Sequence, residues 1–156
     1  MIEVITFINN IFFVLPRVLL NRFFPPFTVF EQKLLEQIVG LVPQEYSVLL
    51  KGHLREVNCV YRNGGDRQII FSKFYFYKMI WSRSHYFEPC EGEHKLLRFE
   101  ISFATGEVLN GTLITVDGVL LGMNFGSYAD DYRKRTDFTV KVRTHFGKVS
   151  GTDRVK

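Results

Sequence analysis

Beyond Asn58 the apolar residues of this chain stop recurring at helical spacing and begin to alternate. The breaks between the alternating runs fall on turn-forming residues. In Lys95–Ala104, Leu97, Phe99, Ile101 and Phe103 lie on one side and Arg98, Glu100 and Ser102 on the other. Successive side chains of a strand point to opposite faces, so the pattern predicts a strand with one buried and one solvated face. Val108–Val116 and Val119–Phe125 flank Asp117-Gly118, a two-residue hairpin signal. Asn63-Gly64-Gly65-Asp66 joins Asn58–Arg62 to Arg67–Tyr77, and Thr105-Gly106-Glu107 joins the two central runs. Arg67–Tyr77 is expected to bend near Ser72-Lys73, with Ile69, Phe71, Phe74 and Phe76 toward the core. Asp137–Phe146 closes the series, with Phe138, Val140, Val142 and Phe146 inward and Lys141, Arg143 and His145 outward. Met79–Phe87 has no clear period. Strands joined by turns this short pair antiparallel.

Helical spacing precedes this region. Pro25-Pro26 ends a first apolar segment, because neither ring tolerates a helix interior. Thr28 and Glu31 have the spacing of a capping box. Phe30, Leu34, Leu35, Ile38 and Val39 give the following helix an apolar face, and Gly40 is its expected stop. Pro43 opens another helix with Tyr46, Leu49, Leu50 and Leu54 on one face; Gly52 weakens it, and it should end near Arg55 or Glu56. The fold expected is α+β, with N-terminal helices packed on one face of a five- or six-stranded antiparallel sheet. Residues 1–24 read as an N-terminal apolar helical segment, 25–147 as a single domain and 148–156 as a frayed tail.

Glu3, Asn9, Asn10, Pro16, Arg17, Asn21 and Arg22 interrupt the first segment, which lacks an apolar run long enough to span a bilayer. It also has neither a basic leader nor a small-residue cleavage site. It reads as a helix docking on its own domain or on a partner chain, with contact to a membrane surface as the alternative. With 156 residues the chain can bury a core without covalent staples. Its 16 Phe and 7 Tyr are expected mostly inside. Two cysteines, Cys59 and Cys90, make no disulfide framework and suit reduced thiols in a cytoplasmic protein. The net charge of +4, concentrated toward the C-terminal end, is too thin for a nucleic-acid footprint by itself.

No catalytic, metal or cofactor signature is present. His85, Cys90 and His94, with Cys59 in reach, are the best metal ligands available, but their spacing is not that of paired zinc ligands. Ser84-His85 and Cys90 with His94 are weak candidates for a nucleophile and its base. The glycines Gly64-Gly65 open no helix, so they cradle no phosphate. The chain is therefore expected to be a non-enzymatic protein-binding module. Its candidate contact residues are Tyr75, Tyr77, Trp81 and Arg83, the acidic loop residues Glu88, Glu91 and Glu93, and Asp130, Asp131 and Arg133. The alternatives are a nucleic-acid partner, served by Arg67, Lys73, Lys78 and Arg83 interleaved with Phe74, Tyr75, Phe76, Tyr77 and Trp81, and a small enzyme without a recognised signature, working in a pocket under the sheet.

The succession of a Leu-rich helix from Leu34, the Pro-led helix Pro43–Leu54, Asn58–Arg62 and a glycine turn into Phe71 resembles small bacterial α+β proteins of the toxin-immunity type, including contact-dependent inhibition systems. That resemblance implies binding and blocking of a cognate toxin. Immunity proteins against nuclease toxins are often acidic, whereas this chain is basic. The resemblance therefore implies either a toxin with an acidic surface or contact through a local acidic loop such as Glu88–Glu93.

Overall fold

A computed structural model describes residues 26–65, 67–75, 78–81, 86–88, 90–127, 129–145 and 149–150. The segment 1–24, Tyr77 and Arg83 lie outside the described residues, as do the side chains of Tyr75 and Asp130. Helix α1 (Val29–Leu41) starts at the expected capping box: the Glu31 N–H donates to Thr28 Oγ1 at 3.2 Å, and the Thr28 N–H donates to Glu31 Oε2 at 2.8 Å. Gly40 does not stop this helix. The chain leaves it at Val42, extended at φ −84 and ψ 157, because the residue before a proline is driven out of the helical region. Helix α2 (Gln44–Glu56) begins after Pro43 and continues through Gly52.

Strands β1 (Cys59–Asn63), β2 (Gln68–Ser72), β6 (Glu93–Phe103), β7 (Val108–Val116), β8 (Val119–Phe125) and β9 (Phe138–His145) form a six-stranded antiparallel sheet. Its order is β1-β2-β8-β7-β6-β9, and both helices precede it in the chain. Every adjacent pair in this sheet is antiparallel. The register stacks side chains in ranks across the strands. Arg62, Ile69, Met123, Leu113 and Leu97 form one rank facing the helices, and all but Arg62 are buried. The neighbouring rank, Asn63, Gln68, Asn124, Thr112 and Arg98, faces the other way and is polar throughout. That is the alternation of a sheet covered on one side.

Between helices and sheet lies the aromatic core. Phe30 of α1 packs against Phe103, Phe125 and Phe138, with ring centroids 6.4, 6.3 and 5.2 Å away. Gly111 sits in register with Phe99 and Phe125, and it must be glycine. A Cβ there would lie 2.2 Å from the Phe99 ring, which crosses β7 to meet Phe125 edge-on at 5.9 Å. Asp117-Gly118 turns the β7–β8 hairpin with φ of 49 and 75, positive at both positions as a two-residue hairpin requires.

Strand β9 is an edge, and α1 covers part of it. The Gln37 side chain donates to the Phe138 carbonyl at 3.3 Å and accepts from the Val140 N–H at 3.1 Å, replacing the backbone of a missing neighbour. Four short strands lie outside the main sheet. The expected long strand Arg67–Tyr77 leaves the sheet after Ser72. Phe74–Tyr75 (β3) then pairs with Lys78–Met79 (β4) as a ribbon of its own. Tyr86–Phe87 (β5) pairs with Val149–Ser150 (β10), so part of the segment read as a frayed tail is a strand. No local signal announces β10, because its partner is distant in sequence.

Candidate functional site

The sheet's ends differ. At one, Asp117-Gly118, the start of β6 and the β3–β4 and β5–β10 ribbons gather; at the other lie the 104–107 and 126–137 connections. The first end carries a cleft of about 580 Å³ lined by Met79, Ile80, Trp81, Tyr86, Cys90, Asp117 and Val119.

Local hydrogen bonding explains how the cleft is built. The Asn58 side chain donates to the Phe74 carbonyl at 2.7 Å and accepts from the Phe74 N–H at 2.8 Å. It thereby satisfies the backbone just where β3 departs from the sheet. The Ile80 N–H returns to the Lys73 carbonyl at 2.9 Å, and the Lys73 ammonium pairs with Glu56 of α2 at 2.9 Å. This anchored ribbon presents Met79 and Ile80 to solvent, 55% and 44% exposed. On the opposite wall the Phe87 N–H donates to the Gly118 carbonyl at 2.9 Å. Asp117 Oδ1 accepts from the Gly92 N–H at 2.8 Å, and the Asp117 N–H donates to the Gly92 carbonyl at 2.9 Å. The acidic loop is thus tied to the hairpin tip.

Beneath the cleft is a histidine that the sequence reading passed over. His53 of α2 is buried, with its ring 6.0 Å from Trp81 and 5.4 Å from Phe87, and its Nδ1 accepts from the Leu120 N–H at 3.4 Å. The signal was available: His53 stands three and four residues after Leu50 and Leu49, on the apolar face of the helix. Tyr46 stacks on Phe87 at 6.3 Å, and burial, helped by the neighbouring Glu45 carboxylate, raises its hydroxyl above the ordinary pKa.

The candidate residues divide between the two ends. Trp81 lines the cleft, half-buried, and Glu88, Glu91 and Glu93 lie in or beside the loop that flanks it. Tyr75 lies in the ribbon. Asp130, Asp131 and Arg133 belong to the far end, in or beside a short 3-10 turn (Asp130–Tyr132). The nine residues of β7 lie between the two groups, roughly 30 Å at ~3.3 Å per residue. They do not form one site. The far loop is itself anchored: Tyr132 stacks on Phe103 at 4.5 Å, and the Ala129 N–H donates to the Gly65 carbonyl at 3.2 Å.

Cys59 is buried and Cys90 exposed, and the two are not joined in a disulfide. Cys90 Sγ donates to the Phe87 carbonyl at 3.5 Å, while the His94 ring contacts the Glu91 carbonyl. Among the described residues no three of His, Cys, Asp and Glu gather as metal ligands, and no helix is long and apolar enough to cross a membrane. His85 and Ser84 lie outside the described residues. Chemically, the arrangement offers a recess of mixed polarity, with the Trp81 and Tyr86 rings beside Met79, Ile80 and Val119 and the Asp117 carboxylate among its walls, which suits contact with a partner's side chains. No protein-family model, curated protein or solved structure matches this chain.

Proposed function

We propose that this chain is a non-enzymatic protein-binding module whose contact surface is the cleft beside Asp117-Gly118. One observation carries this reading: Met79 and Ile80 are held out to solvent by an anchored ribbon, next to a half-buried Trp81 and Tyr86. Isolated exposed apolar residues are common, but a ring-lined recess with an apolar lip is what an interface hot spot requires. Glu88, Glu91 and Glu93 along the margin favour a partner with basic residues around an apolar anchor. The resemblance to toxin-immunity proteins extends the reading to neutralisation, in which the module occludes the working site of a cognate toxin. The alternative, a nucleic-acid surface using Lys73, Lys78 and Arg83, draws less support, because the Lys73 ammonium is already paired with Glu56.

Trp81 is the only tryptophan, so its emission reports on the cleft directly. The test is affinity capture from source cells with the full chain and with a Met79→Glu/Ile80→Glu variant, followed by titration of the captured protein against Trp81 fluorescence. The reading expects a stoichiometric partner that shifts Trp81 emission and is lost from the variant while its melting temperature is unchanged. A partner retained equally by the variant, or recovery of nucleic acid alone, overturns it.

A further inference from the structure

The sheet face turned away from the helices carries a second feature, independent of the cleft just described. Its polar rank, Asn63, Gln68, Asn124, Thr112 and Arg98, runs across five strands. Next to it lie Lys95 of β6 and Lys141 and Arg143 of β9, all exposed. Among the described residues of β6 to β9, the carboxylates within the strands on this face are Glu93, at the start of β6 in register with Val116, and Glu100, which pairs with Arg143. Lys95, Arg98, Lys141 and Arg143 thus outnumber Glu93 and Glu100, and Glu93 stands at the end of the face beside Asp117-Gly118, which leaves a net excess of positive charge on the face. The cations border a cleft of about 480 Å³ whose lining includes Lys95, Arg98, Asn110, Thr112, Asn124 and Arg143. Apart from the cations, its polar side chains are amides and a hydroxyl, which can donate hydrogen bonds. The cleft lining also includes Ile114, and half-buried Ile70 lies two strands away in register with it through Gly122.

We propose that this open face binds an acidic polypeptide segment, with carboxylates on Lys95, Arg98 and Lys141 and its main chain along the amide rank. Guanidinium forks match carboxylates, and carboxamides pair with peptide groups through both donor and acceptor. Nucleic acid fits less well, because no residue lining the cleft offers an exposed ring on which bases could stack, and the exposed Tyr61 of the same face stands on β1, four strands from Lys95.

The test uses the full chain and two labelled probes read by fluorescence anisotropy: a short oligoglutamate peptide and an oligothymidylate of matched charge. The inference expects the peptide to bind more tightly than the oligothymidylate. It also expects peptide affinity to fall roughly tenfold or more in Arg98→Glu/Lys141→Glu. Lys51→Glu/Arg55→Glu makes the same change in net charge on exposed positions of α2, and should leave affinity within about twofold. Lys141→Gln, a milder change at an exposed position, should give an intermediate loss. Equal losses in the two double variants, absence of peptide binding, or tighter binding of oligothymidylate each overturn the inference. Cleft binding by Met79→Glu/Ile80→Glu is read separately, so failure of one surface leaves the other interpretable.

Discussion

Two ion pairs show how burial decides what a charge contributes. Glu31 is 1% exposed, and Arg62, 22% exposed, reaches it with Nε at 2.7 Å and Nη2 at 2.6 Å. Arg62 also donates to the Pro26 carbonyl at 3.0 Å. The capping carboxylate of α1 is thereby joined to strand β1. Removing one partner would leave a buried charge uncompensated, so Arg62→Met should lower the unfolding free energy by about 3 kcal/mol in a urea titration. Lys73 and Glu56 are about a third exposed, 32% and 30%, and Lys73→Met should cost at most about 1 kcal/mol. The Thr28–Glu31 box was legible because its spacing is local; its partner Arg62, 31 residues away, was not. A second cluster carries the pH dependence. Arg135 reaches Glu107 at 2.6 Å and Asp137 at 3.3 Å, and lies 4.4 Å over the Phe103 ring. Hydrogen bonds from Thr105 and then Arg135 lower the Glu107 pKa, and Arg135 lowers that of Asp137. As pH falls, the unfolded chain takes up these protons before the folded one. Stability from the cluster is complete above the ordinary values of 4.5 and 3.8 and is lost as pH drops through them and below. Arg135→Gln should therefore reduce the difference in urea midpoint between pH 7 and pH 3.

At the scale of elements, what terminates a helix is not always what sequence suggests. Gly40 and Gly52 both lie within helices, and a Cβ at either would meet nothing within 4 Å. Neither has a positive φ, so their flexibility serves no turn here. Gly40→Ala and Gly52→Ala should each raise stability by roughly 0.5–1 kcal/mol, seen as a higher thermal midpoint. Among the described residues, the Gln37 side chain covers the edge of β9. Gln37→Leu would strip the cover from Val140 N–H and Phe138 C=O, at a cost of about 1–3 kcal/mol, and should promote concentration-dependent association in light scattering. Strand β6 was legible because alternation is a property of the strand itself. The exit of β2 after Ser72 was only half legible. A bend was expected there, but the pairing of β3 with β4 depends on Asn58, which is distant in sequence.

Across the whole molecule, the two proposed surfaces are separate: a ring-walled recess with acidic margins at one end of the sheet, and a basic face away from the helices. Met79→Glu and Arg98→Glu alter exposed side chains that do not share a cleft. Their combination should unfold within about 0.5 kcal/mol of the sum of the two single variants, each near wild type, while each single variant loses only its own ligand. The sequence by itself determined the class of fold: two helices by their apolar spacing and caps, then antiparallel strands by alternation and by turns that only Gly, Asn and Asp accept without strain. These are interactions between near neighbours, which one stretch of chain records in full. Only the tertiary structure decided the strand order, the separation of the candidate residues onto opposite ends, the seat of His53 under Trp81, and the gathering of cations from β6 and β9 on one face. Each of those depends on which distant segments pair, a choice set by the packing of the whole core.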